Sequence, residues 1–243
     1  MSLGIIETPE NLYVKPFHGK DKMARFSCPF SINPNNFLDY SKQDLDQGDE
    51  RGLANSLTNI KRAIECQIDT LLYFYGFGKA AKRENWGFPK KCNILQEMGI
   101  LSPKILEKIN SQRVKLEHFY EKPDKERVED ALDVATLFVE FTNNYIPLSM
   151  CVSSSSVIDG IHIKTETGDL KEIDRLFANI KYNYKEGILE YNLYRKPKKH
   201  IITQEGKINK SDIILNLKMK APEVKYLEWL KFLKGYLTGI EKR

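Results

Sequence analysis

Between Leu53 and Tyr75 apolar side chains recur at Leu53, Leu57, Ile60, Ile64, Ile68, Leu71 and Tyr75, in steps of four, three, four, four, three and four. Such steps average close to the ~3.6 residues of a helical turn, so the stretch is predicted as one long amphipathic helix. Asp49 and Glu50 place negative charge where the helix dipole favours it, and Gly76 and Gly78 end the pattern. Phe37 to about Gln47 reads as a short leading helix, and Pro89 opens another that Gly99 closes after Met98. Ser102-Pro103 is a cap and first-turn pair for a helix running to about Tyr120. A further helix follows Pro123-Asp124, with the stripe Val128, Leu132, Ala135, Phe138, Thr142 and Tyr145. Val134, Val139 and Phe141 widen that face enough to predict a buried helix.

After Pro147 the period falls from 3.6 to 2. Ile161 to Lys164 alternates, and Ile180 to Tyr184, Lys185-Glu186-Gly187 and Ile188 to Tyr194 read as a hairpin with glycine in the turn. Ile213 to Met219 is a further strand. Pro222 then starts a closing helix with Tyr226, Leu230, Leu233 and Leu237 on one face, capped by Gly235 or Gly239. The first 34 residues hold Pro9, Pro16 and Pro29 with scattered aromatics and no sustained period, which predicts an extended arm. The expected fold is α+β: an arm over residues 1–34, an antiparallel helical bundle over 35–146, and a small, mainly antiparallel β domain with a C-terminal helix over 147–243.

Composition changes this picture little, but the distribution of charge adds to it. At 41% hydrophobic and 29% charged, the 243 residues describe an ordinary globular chain rather than a disordered one. No apolar run reaches the ~18 residues a membrane span needs, and the N-terminus lacks a signal-peptide layout, so the expected location is the cytoplasm. Residues 1–146 carry 20 Lys and Arg against 21 Asp and Glu, whereas 147–243 carry 18 against 12. The surplus of +6 in the second part suits an anionic partner, with solubility as the plainer explanation. Cys28, Cys66, Cys92 and Cys151 form no Cys-x-x-Cys pair and read as small buried hydrophobes.

Candidate chemistry is sparse. The chain has no Gly-x-Ser-x-Gly, no His-Glu-x-x-His and no phosphate-binding Gly-Lys-Ser/Thr loop, so no cofactor and no metal is expected. Its four histidines lie in different elements, and only His118 has a suggestive neighbour, in Arg113-Val114-Lys115-Leu116-Glu117-His118-Phe119-Tyr120. On a helix His118 is turned roughly 140° from Arg113, so the two converge only across a groove. Geometry leaves open the plainer arrangement: Arg113 paired with Glu117, and His118 a cation near a helix C-terminus. Glu65 and Asp69, four apart on the long helix, either orient a histidine or form a solvated face. In the second part Tyr182, Tyr184, Tyr191 and Tyr194 lie near Arg195-Lys196-Pro197-Lys198-Lys199-His200. Such a group stacks bases and holds phosphates, or is simply half buried by strand alternation.

The stretch Asp49-Glu50-Arg51 through Asn59-Ile60-Lys61-Arg62-Ala63-Ile64-Glu65-Cys66-Gln67-Ile68-Asp69 resembles the long helix of HEPN domains (higher eukaryotes and prokaryotes nucleotide-binding). More specifically, Arg113-x-x-x-x-His118-x-Tyr120, Pro123 and the helix from Glu126 to Ala135 resemble that family's Arg-x(4 to 6)-His element and its following helix. The resemblance covers about residues 35–146 and does not extend into the C-terminal part. It implies a homodimer whose paired Arg113 and His118 face one groove, and a metal-independent endoribonuclease acting on RNA, of the kind found in toxin-antitoxin systems, with an antitoxin-type partner. In that reading Arg113 and His118 are catalytic, and Tyr120, Lys115, Glu65 and Asp69 serve the substrate. The alternative is a non-catalytic dimeric nucleic-acid-binding or scaffold module. It is favoured by Val114, since active members usually carry a polar residue after the arginine.

Overall fold

In a computed structural model the described residues are 12–13, 18–100, 124–158, 161–164, 170–173, 176–195 and 213–238. They form a mixed α+β chain of two units. One unit is Phe26–Pro147 and the other joins Met1–Arg25 to Leu148–Arg243.

Five described helices build the first unit: α1 (Pro34–Asp46), α2 (Glu50–Phe74), α3 (Gly78–Arg83), α4 (Phe88–Glu97) and α5 (Lys125–Asn143). Their ends follow from local chemistry. Asn33 and Asn36 cap α1 reciprocally, each side-chain oxygen accepting from the other's backbone N–H, and Pro34 supplies a preset first turn. The Asp49 carboxylate accepts from Gly52 N at 2.6 Å to open α2. At the far end of α2, Gly76 (φ 79°) turns left-handed, so that its N–H reaches Tyr73 O and that of Phe77 reaches Leu72 O. The same closure recurs at Gly99 after α4 and at Asn85 (φ 50°) after α3, where asparagine tolerates the left-handed turn.

Helices α1 and α2 form an antiparallel hairpin whose contact is small and polar. Ser41 and Ser56, both fully buried, share a hydrogen bond of 2.8 Å, and a Cβ on Gly52 would run into the Asp44 carbonyl. Ile60, Ile64, Ile68 and Leu71 of α2 are buried, as are Val128, Leu132, Ala135 and Phe138 of α5. Buried Gln67 ties α2 to α5 by donating to Thr142 Oγ1 at 2.8 Å and Asn143 Oδ1 at 3.0 Å. The sequence expectation of a buried helix is too broad for α5, because Leu137 and Phe141 stay 66% and 55% exposed. Gly78 opens α3 instead of ending α2.

The second unit holds a five-stranded antiparallel sheet. Its strands are β2 (His18–Arg25), β3 (Ser149–Ile158), β6 (Leu176–Asn183), β7 (Ile188–Arg195) and β8 (Ile213–Lys220), paired in that order. A second, three-stranded sheet pairs β4 (Ile161–Lys164) with both β1 (Leu12–Tyr13) and β5 (Leu170–Ile173). Alternation sorts the large sheet's two faces. Ala178, Ile180, Tyr182, Leu189, Tyr191, Leu193, Leu217 and Met219 are buried, while Lys181, Asn183, Asn216, Lys218 and Lys220 are exposed. The closing helix α6 (Val224–Thr238) packs on β3 and β8, and Trp229 meets Tyr191 with ring centroids 4.8 Å apart. It runs through Gly235, which therefore does not cap it.

The arm predicted over residues 1–34 is where the structure departs furthest from the pattern. His18–Arg25 is an edge strand hydrogen-bonded to β3, and Pro34 already belongs to α1. The long helical unit thus lies, in chain order, between two adjacent strands of one sheet.

Candidate functional site

Of the six residues singled out in the sequence, Arg113, Lys115, His118 and Tyr120 lie outside the described residues. Glu65 and Asp69 are described, and both sit half-buried on α2. Asp69 Oδ1 lies 2.6 Å from Lys91 Nζ of α4, both side chains being partly screened from solvent. That pair pins α4 against α2, so the Asp69 carboxylate is committed to a cation within its own unit.

The same face of α2 carries a cluster that the sequence reading did not anticipate. Cys66, Thr70, Tyr73 and Phe74 follow one another at helical spacing, and the segment leading into α1 runs along them in the opposite direction. Phe26 meets Tyr73 and Phe74 at 6.3 and 5.0 Å between centroids, Cys28 Sγ lies 3.9 Å from Thr70 Oγ1, and Ile32 O accepts from Cys66 Sγ at 3.6 Å. Burial pushes the Cys66 thiol up to about 11, the nearby Cys28 adds to the rise, and a hydrogen bond with Thr70 opposes it. Cys92 and Cys151 are buried as expected, but Cys28 and Cys66 are half-exposed neighbours. Thirty-eight positions separate the two in sequence, and no local motif links them.

On the surface between α3 and α4, Glu84 collects three donors. The Trp86 indole N–H donates at 2.8 Å, the Arg83 guanidinium at 2.9 Å and the Lys90 ammonium at 3.2 Å. Those bonds hold its carboxyl down near 2, and Lys90 also stacks 4.4 Å from the Trp86 ring centroid.

The tyrosines proposed to stack bases divide unequally. Tyr182, Tyr184 and Tyr191 are buried on the core side of the sheet, whereas Tyr194 is partly exposed. On the opposite face, cross-strand pairing places Lys181, Glu190 and Lys218 in one row and Asn179, Asn192 and Asn216 in the next. Lys218 Nζ lies 3.0 Å from Glu190 Oε1. Divided at the unit boundaries, the charge is more uneven than at Pro147. The β unit carries 22 Lys and Arg against 15 Asp and Glu, and the helical unit 16 against 18.

Among the described residues no group of three His, Cys, Asp or Glu is placed to hold a metal ion, and no helix is long and apolar enough to cross a membrane. No family model, curated protein or solved structure matches the chain.

Proposed function

We propose that the chain is an RNA-acting protein with an HEPN-like helical unit, working as a metal-independent endoribonuclease. The observation that carries this reading is the Arg113, His118 and Tyr120 pattern, in the chain segment joining α4 to α5 of an antiparallel helical unit. In the proposed chemistry His118 takes the proton of a ribose 2′-OH or gives one to the leaving oxygen, and Arg113 stabilises the charge of the phosphorane. DNA, lacking that hydroxyl, resists cleavage. Lys115 and Tyr120 contact phosphate or base. Asp69 already answers to Lys91, which leaves to Glu65 the task of orienting His118. Two copies of the helical unit bring their Arg113 and His118 to a shared groove, and an antitoxin-type partner would act on the same unit. The β unit's surplus of Lys and Arg supports an anionic partner.

A second reading, a dimeric nucleic-acid-binding or scaffold module without catalysis, draws on Val114, which stands where a polar residue is expected beside the arginine. Cleavage of a mixed RNA pool in EDTA by the protein, beside Arg113→Ala and His118→Ala, separates the two. Loss of cutting in both variants, with cyclic phosphate ends from the parent, supports the nuclease. No cutting by the parent, or equal cutting by all three, favours the binding module.

A further inference from the structure

We infer that Cys28 and Cys66 form a redox modification site, in which a peroxide-class oxidant joins them in a disulfide that fastens the 26–33 segment to α2. The inference is independent of any action on RNA. Its basis is the register of that segment on the helix. Phe26 on Tyr73 and Phe74, Cys28 on Thr70, and Ile32 on Cys66 fix the segment antiparallel to α2 at three successive points. Thr70 and Cys66 are four apart, so Cys28 lies about one helical turn, ~5 Å, along the axis from Cys66. Thr70 also anchors the arrangement, its hydroxyl donating to Cys66 O at 2.8 Å. Both residues are partly exposed, and the other two cysteines are buried. An oxidant therefore reaches this pair before it reaches Cys92 or Cys151.

The chemistry closes with peroxide as the only co-reactant. Cys28 Sγ attacks one peroxide oxygen; the O–O bond breaks, an S–O bond forms, and one water leaves. Cys66 Sγ then attacks the Cys28 sulfur; the S–S bond forms, the S–O bond breaks, and a second water leaves. The two thiols lose two electrons and two protons, and the peroxide becomes two waters. The raised pKa of Cys66 keeps its thiolate scarce near neutral pH, so its attack on the Cys28 sulfur quickens as pH rises toward about 11.

The test treats the full-length protein with hydrogen peroxide, blocks free thiols and maps tryptic peptides without reduction. The expected product joins Phe26–Lys42 to Ala63–Lys79, each of which contains a single cysteine. It loses two hydrogens relative to the separate peptides, is reversed by dithiothreitol, is absent from Cys28→Ser and from Cys66→Ser, and is retained in Cys92→Ser. The melting temperature of the oxidised protein should shift upward, because the bond closes the loop that contains α1. Separate labelling of both cysteines after treatment, sulfinic acid without a crosslink, or a bond to Cys92, Cys151 or a second copy would overturn the inference.

Discussion

The two units bury polarity to different extents. In the helical unit polar side chains go inside and find partners: Ser41 with Ser56, Gln67 with Thr142 and Asn143, and the Tyr75 hydroxyl with Tyr145 O at 3.0 Å. In the β unit β6, β7 and β8 turn Ala178, Ile180, Tyr182, Leu189, Tyr191, Leu193, Leu217 and Met219 to a buried face and Lys181, Asn216 and Lys218 to the other, and buried Tyr182 and Tyr226 share a hydrogen bond. Deep in that core the Tyr191 hydroxyl has no hydrogen-bond partner among the described residues. The contrast reflects what each architecture must specify. Helices satisfy their own backbone and slide or rotate against one another, so side-chain hydrogen bonds fix their register. Strands acquire register from the backbone ladder itself, so fewer side-chain hydrogen bonds are needed to set it.

The largest expected effect tests whether the units are energetically separate. Leu233, 1% exposed in α6, packs within the β unit, and Leu233→Ala should cost about 2–5 kcal/mol. The chain has two tryptophans, Trp86 in the helical unit and Trp229 in the β unit, so urea unfolding followed in Trp86→Phe and Trp229→Phe backgrounds reads each unit in turn. The Trp229 transition should move to lower urea while that of Trp86 stays. Equal shifts of both would mean that the chain unfolds as one.

Alkali sharpens the same comparison. Burial raises the phenol pKa of Tyr75 in the helical unit and of Tyr191 and Tyr226 in the β unit above the ordinary 10.0. For groups held neutral by the fold, the stabilisation is complete below the unfolded value and is lost as pH climbs beyond it. Stability of the β unit should therefore fall above pH ~10, and that of the helical unit from a lower pH, because burial also raises its Cys66 and Cys92 thiols from 9.0 to about 11. Tyrosinate absorbance recorded beside Trp86 and Trp229 fluorescence checks this, and a flat profile would contradict it.

The smallest effects should have opposite signs. Tyr75→Phe removes a made hydrogen bond and should cost about 1 kcal/mol. Tyr191→Phe removes a buried hydroxyl that lacks a partner and should be neutral or stabilising by up to about 1 kcal/mol. Equal destabilisation in urea melts would show that Tyr191 has a partner after all.

The helical elements were the most legible part of the sequence because a 25-residue amphipathic pattern such as α2 repeats its signal over many turns. β6, β7 and β8 were legible for the same reason, in period 2. β2 and β3 were not. β2 consists of His18-Gly-Lys-Asp-Lys-Met-Ala-Arg25, and the middle of β3 is Ser153 to Ser156, so neither shows alternation. Backbone pairing, which every residue can provide, makes them strands. α3 has only six residues and no room for a period. At the candidate site, Asp69 showed its carboxylate in the sequence but not its commitment to Lys91, because α2 and α4 meet only through folding. The Cys28 and Cys66 pair was hidden for the same reason.

The pairing of β2 with β3 also bears on how the protein is made. Arg25 and Ser149 face each other across that ladder, so the chain leaves the sheet for the helical unit and re-enters it at nearly the same point. A ribosome adding about 5–20 residues per second releases β2 many seconds before its partner exists. The helical unit is finished in the interval, and only then can the first strand find its place. Because entrance and exit coincide, a short turn grafted from Arg25 to Ser149 would preserve the strand register, and Phe26–Pro147 behaves topologically as a cassette that can be lifted out.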